Sequence, residues 1–298
     1  MSLGIVFKGA EGIVLAADSR VTLMAQVIQQ PPQQQPPQQP ALVPATYDNA
    51  TKLLKINGQD FVGAVTYGVG AIGQQQPRTA HSYIPEFETE LANTGRLSVH
   101  NFATRLSAFF MQRWQDQMPP NFQGPGMVFL IGGYDEGANV AYGRVFELEI
   151  PFRPTPVERH AGSGEFGMTW GGQREYADRL ITGFDDNLPI IIQQFLNLTD
   201  DQRAALRDHL RGRSQVPVPF PFLPLQDCVD LSIFLIRTTI SIQNWIVGIR
   251  GVGGAIDVAT ITRTDGFSPI QTKSIVGEQR ITRTEGLSPI QRRSIVGE

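Results

Sequence analysis

The chain reads as an α+β protein, and three observations predict this. Short runs rich in Ile, Val and Leu come in pairs joined by Gly-containing turns, which is the pattern of β-hairpins. Between these pairs lie blocks with apolar residues at helical spacing. Hydrophobic residues make up 41% and charged residues 18% of the 298 positions, enough apolar side chain for a sizeable core. That length fits one large domain or two small ones.

The first hairpin comprises Met1 to Lys8 and Gly12 to Arg20, split by Lys8-Gly9-Ala10-Glu11-Gly12. In an antiparallel pair the start of the first strand and the end of the second are neighbours. Removal of Met1 would leave Ser2 with a free α-amine beside its hydroxyl. Asp18 and Arg20 would then converge with Ser2 on one edge. From Gln29 to Pro40 the chain is almost wholly Gln and Pro, a composition that predicts a solvated, polyproline-like loop. A second hairpin runs from Thr51 to Gly58 and from Phe61 to Gly68, with Asn57-Gly58 in the turn.

Thr79 to Asn93 and Ser98 to Gln117 read as amphipathic helices, the latter with Ser98 as N-cap. Met127 to Gly133, Asn139 to Ile150 and Val157 to Gly162 read as strands, with a turn at Tyr134 to Gly137. Ala161-Gly162-Ser163-Gly164 is expected to end the third of these and to precede a helical stretch. Arg174 to Ile181, Pro189 to Leu198, Asp200 to Leu210 and Asp227 to Trp245 are the next helices. Ile261 to Glu278 and Ile281 to Glu298 are near-copies with a period of 20, too few for a solenoid.

A net charge of -3 gives no reason to expect nucleic acid or an anionic membrane as partner. No apolar run is long enough to span a bilayer, and no secretory signal is evident at the start. The lone Cys228 cannot form an internal disulfide and fits a reducing cytoplasm. His81, His100, His160 and His209 lack ligand spacing, so neither a metal nor another cofactor is expected.

Gly12-Ile13-Val14-Leu15-Ala16-Ala17-Asp18-Ser19-Arg20-Val21-Thr22 resembles the G-V-V-L-A-A-D-x-R-x-T signature of N-terminal-nucleophile hydrolases, in the proteasome β-subunit branch with its bacterial and archaeal relatives. That resemblance implies a four-layer αββα sandwich of two antiparallel sheets covered by helices. It implies a domain over 2–262, with the Gln/Pro-rich segment as a loop insertion at 29–44. The duplicated 263–298 would be a C-terminal extension. Ser2 stands where the family usually has Thr, and would be the nucleophile. Lys52 resembles the family lysine that pairs with the aspartate, here Asp18. Ser163 resembles the serine of the family's G-S-G motif, and the backbone of Tyr67 matches its oxyanion donor. Arg20 would support the site.

The activity implied is hydrolysis of a peptide or other amide, through an acyl-enzyme, in a homo-oligomeric ring. One departure stands out. The family places an aspartate and a serine in D-x-x-S-G-G, whereas this chain has Ile249-Arg250-Gly251-Val252-Gly253-Gly254. Two alternatives therefore stay open: a catalytically silent binding or structural protein of this fold, and an amidohydrolase or acyl-transferring ligase.

Overall fold

A computed structural model describes residues 2–27, 41–74, 76–137, 142–162 and 164–273. Two five-stranded antiparallel sheets lie face to face. The first has the order β10-β1-β2-β11-β12, from Gly167–Gly172 (β10), Leu3–Lys8 (β1), Ile13–Asp18 (β2), Ile256–Thr262 (β11) and Gly266–Gln271 (β12). The second has the order β5-β6-β7-β8-β9, from Leu53–Leu54, Val62–Gly68, Met127–Gly133, Arg144–Ile150 and Arg153–Arg159. Val21–Val27 (β3) and Ala41–Tyr47 (β4) form a separate two-stranded ribbon on either side of the Gln/Pro-rich stretch.

Three apolar clusters glue the layers together. Val6, Ile13, Leu15 and Ala17 meet Val65, Leu130, Val145 and Phe267 between the sheets. Helices Ile84–Leu91 (α1) and Val99–Gln117 (α2) cover the second sheet through Phe87, Phe102, Leu106 and Phe110. Helices Glu175–Ile181 (α3) and Leu225–Gln243 (α6) cover the first through Ala177, Ile181, Val229 and Leu235. Asn187–Leu196 (α4) and Asp200–Ser214 (α5) complete the chain. The architecture is thus a four-layer αββα sandwich. Its layering explains why the opening strands are continuously apolar instead of alternating. All six residues of both β1 and β2 are buried, one face against the other sheet and one against helices.

Sheet-on-sheet packing is tight enough to require glycine. A Cβ on Gly63 would lie 2.5 Å from the Phe267 ring, and one on Gly132, its cross-strand partner, 2.6 Å from Ile13. Glycine in these strands therefore marks close approach of the two layers.

Several elements differ from the sequence expectation. A strand, β10, lies between the Gly-Ser-Gly turn and α3, where a helix was expected to follow directly. The ribbon β3–β4 extends past Thr22 and includes Pro44, which tolerates an edge position. Residues 266–271, past the expected domain boundary at 262, form β12 on the rim of the first sheet; Phe267 fills the space above Gly63. The remainder of the repeat, 274–298, lies outside the described residues, as do 28–40.

Helix α6 carries its buried stripe at Cys228, Val229, Ser232, Leu235, Ile236, Thr239 and Gln243. The two hydroxyls are satisfied within the helix: Ser232 donates to the Cys228 carbonyl at 2.8 Å and Thr239 to that of Leu235 at 2.9 Å. Burial pushes the Cys228 thiol up to about 11. Alkylation by iodoacetamide at neutral pH is therefore expected to be negligible in the native protein and rapid in denaturant, as read by mass spectrometry. Equal rates in both would show that this face of α6 is open.

Candidate active site

Asp18, the last residue of β2, is fully buried. It accepts four hydrogen bonds. Oδ1 takes the Leu3 N–H at 3.0 Å and the Lys52 ammonium at 2.7 Å. Oδ2 takes the Arg20 N–H at 3.1 Å and the Gly253 N–H at 3.0 Å. The peptide nitrogen that follows Ser2 and the ammonium of Lys52 therefore meet on a single oxygen. Register produces this: Gly4 pairs with Ala17, which places the residues before Gly4 beside the end of β2. Lys52 enters just before β5 and is 5% exposed. Burial lowers its pKa, and the Asp18 charge and hydrogen bond pull the other way.

Ser2 is 3% exposed. Its carbonyl accepts the Gln173 N–H at 2.8 Å. Ser2 and Lys52 line one cavity of about 20 Å³, with Thr51, Thr66, Tyr67 and Gly70. That volume has room for one water molecule. Gly70 sits there because a Cβ would fall 2.2 Å from Val21.

The structure brings together Ser2, Asp18 and Lys52. Ser163 lies outside the described residues, but its neighbour Gly162 accepts a bond from the Lys8 ammonium, at the far end of β1 from Ser2. Antiparallel pairing of β10 is the reason: Lys8 faces Gly167 whereas Leu3 faces Gly172. The six residues of β1 span roughly 17 Å. The turn that does reach Ser2 is Gly171-Gly172-Gln173, at the other end of β10. Gly172 has φ +96°, and a Cβ there would sit 1.9 Å from the Ser2 oxygen, so only glycine fits.

The backbone of Tyr67 does not face the site as an oxyanion donor would. The Thr66 N–H bonds the Lys52 carbonyl at 3.0 Å. Backbone groups alternate sides along a strand, so the N–H of Tyr67 turns to the opposite edge, toward β7. Its ring instead crosses the gap between the sheets, tight against Gly4 and Gly171. Burial raises the phenol's pKa. Beyond that ring a cleft of about 790 Å³ opens between β9 and β10, lined among others by Arg153, His160, Trp170, Arg174 and Arg211.

The Arg20 side chain pairs bidentately with Asp48, which raises the guanidinium's pKa and lowers that of the carboxyl. Only the backbone of Arg20 touches Asp18. A second acid–base pair, with Asp257 buried and Lys273 partly exposed, starts one residue past Ile256, the cross-strand partner of Asp18. Asp257 bonds both the backbone N–H of Lys273, at 2.9 Å, and its ammonium, and that ammonium also reaches Ser19 Oγ at 3.2 Å. Sequence reasoning missed Asp48, Gln173, Gln243 and Lys273. A glycine pair directly before α3 was the available signal for Gln173. Among the described residues no cluster of His, Cys, Asp or Glu is arranged to hold a metal ion, and no helix is long and apolar enough to cross a membrane.

No family model matches the chain. No curated protein matches it either. Among solved structures, it is similar to an Anbu (Gly-1) mutant from Hyphomicrobium sp. strain MC1, with a TM-score of 0.50 and 13% identity, over 92% of this chain and 86% of that one. It is also similar to the Anbu complex from Pseudomonas aeruginosa, described as a helical assembly, with a TM-score of 0.52 and 16% identity, over 90% and 84%. These findings correct the placement in the proteasome β-subunit branch that the opening motif suggested. With no matching family model and such low identity, the motif does not carry membership. What the neighbours show is a shared proteasome-like fold, with Anbu proteins as the structures it resembles.

Proposed function

We propose that the chain is an amide hydrolase acting on peptides, with Ser2 as an N-terminal nucleophile once Met1 is removed. The observation that carries this reading is the single oxygen of Asp18 that holds both the Leu3 N–H and the Lys52 ammonium, beside a cavity that Ser2 lines. In the proposed reaction Ser2 Oγ attacks the amide carbonyl carbon. Its proton passes to the α-amine, directly or through one water. The C–N bond then breaks, and the leaving nitrogen takes that proton. Water attacks the resulting ester and gives a proton to the amine, which passes it to Ser2 Oγ as the ester C–O bond breaks, releasing the acid and restoring the free hydroxyl and amine. An α-amine has a reference pKa near ~8. The Lys52 charge beside it disfavours a second positive charge and keeps it a base at neutral pH.

By analogy with the assembled Anbu neighbour, the protein is proposed to self-associate, in the cytoplasm. The α4 face supports this: Ile191, Phe195 and Leu196 are 59%, 84% and 56% exposed.

One observation favours the silent reading. The loop before β11 brings no carboxylate near Ser2, since Val252 is buried there and its N–H goes to Gln243. Mass spectrometry of the native protein, before and after incubation with an activated ester, decides between the two. The expected result is loss of Met1 and an acyl adduct on the peptide that begins at Ser2. A retained Met1, or no adduct on that peptide, would favour the silent protein.

A further inference from the structure

The cleft between β9 and β10 shares Tyr67 with the small cavity that Ser2 lines, and the reaction proposed above makes no use of it. It is flanked by the end strands of the two sheets. These two edges differ. Pro154 and Pro156 take two amide donors out of β9, and Ser107 Oγ on α2 donates to the Pro154 carbonyl at 2.5 Å. An edge blunted in this way resists an added strand. β10 carries no proline.

The outward-facing backbone groups of β10 follow from the pairing of β1. Leu3 and Gly9 send their N–H groups to the β2 side, to Asp18 and to the Gly12 carbonyl. Sides alternate along a strand, so Gly4 and Val6 face β10, where they meet Gly171 and Thr169. Trp170, between those two, then points its N–H and C=O away from β1, out of the sheet. Met168 points the same way, and the His160 ring bonds its backbone. The outward groups of Trp170 meet no protein partner among the described residues, and Trp170 is part of the cleft wall.

Charge selects the occupant. On the cleft wall, Arg153 is tied to Glu149 and Arg159 to Glu147, both at 2.8 Å. Arg174 is tied to Asp178 at 2.8 Å and Arg207 to Asp186 at 3.2 Å. Glu158 is held by Arg144. Arg211, exposed on α5, has no acid partner among the described residues.

We propose that this cleft takes an extended acidic peptide as an added strand on β10, with Trp170 supplying main-chain pairing and Arg211 meeting a carboxylate side chain of the peptide. Main-chain bonds supply the hold in this mode of recognition, and the side-chain contact supplies the preference. The groove goes beyond the hydrolase reading and does not depend on it, since a peptide docks here whether or not Ser2 is a nucleophile.

The probe is a dye-labelled peptide of alternating Val and Thr with one central Glu. Binding is read by fluorescence anisotropy, and its place by hydrogen exchange. Saturating peptide is expected to slow exchange at the Trp170 amide while amides of α2 keep their rates. Two N-methylated copies, each stripped of the donors on one edge, are then compared. One is expected to bind about tenfold more weakly and the other nearly as well, because an added strand pairs through one edge. Changing the peptide's Glu to Gln, or Arg211→Gln in the protein, is expected to weaken binding about threefold, as for an exposed ion pair. Both changes together are expected to cost no more than either alone.

Equal binding by the two methylated copies, or an unprotected Trp170 amide, would overturn the added strand. Additive losses from the peptide and protein changes would overturn the Arg211 pairing. Ser2→Ala is expected to bind the peptide as tightly as the parent. Peptide binding without Ser2 acylation would leave the groove standing and sink the hydrolase reading. Acylation without peptide binding would do the reverse.

Discussion

Asp18→Ala is expected to cost about 3–5 kcal/mol of stability, as removal of one partner from a buried ion pair typically does. The loss has two sources. Lys52 is left as an uncompensated ammonium with 5% exposure. The N–H groups of Leu3, Arg20 and Gly253 lose their acceptor together. Asp18→Asn is not a mild alternative. Each oxygen of Asp18 accepts two donors, so an amide nitrogen in either place would face N–H groups or the ammonium. Urea unfolding checks this, with a midpoint shift at unchanged slope as the expected signature. The double variant Asp18→Ala, Lys52→Met is expected to regain part of the loss, because the stranded charge goes with its partner. A double variant as unstable as the sum of both single changes would mean that the pair is not coupled.

Ser2→Ala is expected to remove essentially all Ser2-dependent amide hydrolysis, on the order of 10⁴-fold or more in kcat, by analogy with knockout of a covalent nucleophile. Stability should hardly move. The backbone carbonyl of residue 2, bonded to Gln173, and the neighbouring Leu3 N–H keep their partners in the alanine variant. An unchanged unfolding midpoint with lost turnover of a fluorogenic amide would separate chemistry from folding. If the alanine variant turned over the substrate as fast as the parent, the nucleophile would lie elsewhere.

Much of this was legible because it is local. Asp18 closes a strand whose six residues are all buried, and the run Ile13 to Asp18 displays that in sequence. Lys52 stands at a fixed distance before a hairpin marked by Asn57-Gly58, and Gly58 takes the positive φ that the turn requires. Site members set by long-range pairing were not legible. Gly162 and Gly172 both flank β10, and both look like turn glycines; only the antiparallel pairing with β1 decides which end faces Ser2. Tyr67 failed for a related reason. Whether a backbone N–H faces inward or along the sheet depends on register to a single residue, which composition does not reveal. The strand β12 was hidden inside a repeat, whose similarity to a later copy drew attention from its role as a partner of β11.

The double-sided burial of β1 has a bearing on control. The Ser2 end of the chain is fastened to the part of the molecule that should open last to solvent exchange, with sheet on one side and helices on the other. Under the proposed function, a nucleophile mounted on so stiff a mast would need no reorganisation before each turnover. It would also not be swung away as a means of shutting off hydrolysis, so throttling would have to happen at the doorway, through the terminal amine's liberation or through which substrate is admitted.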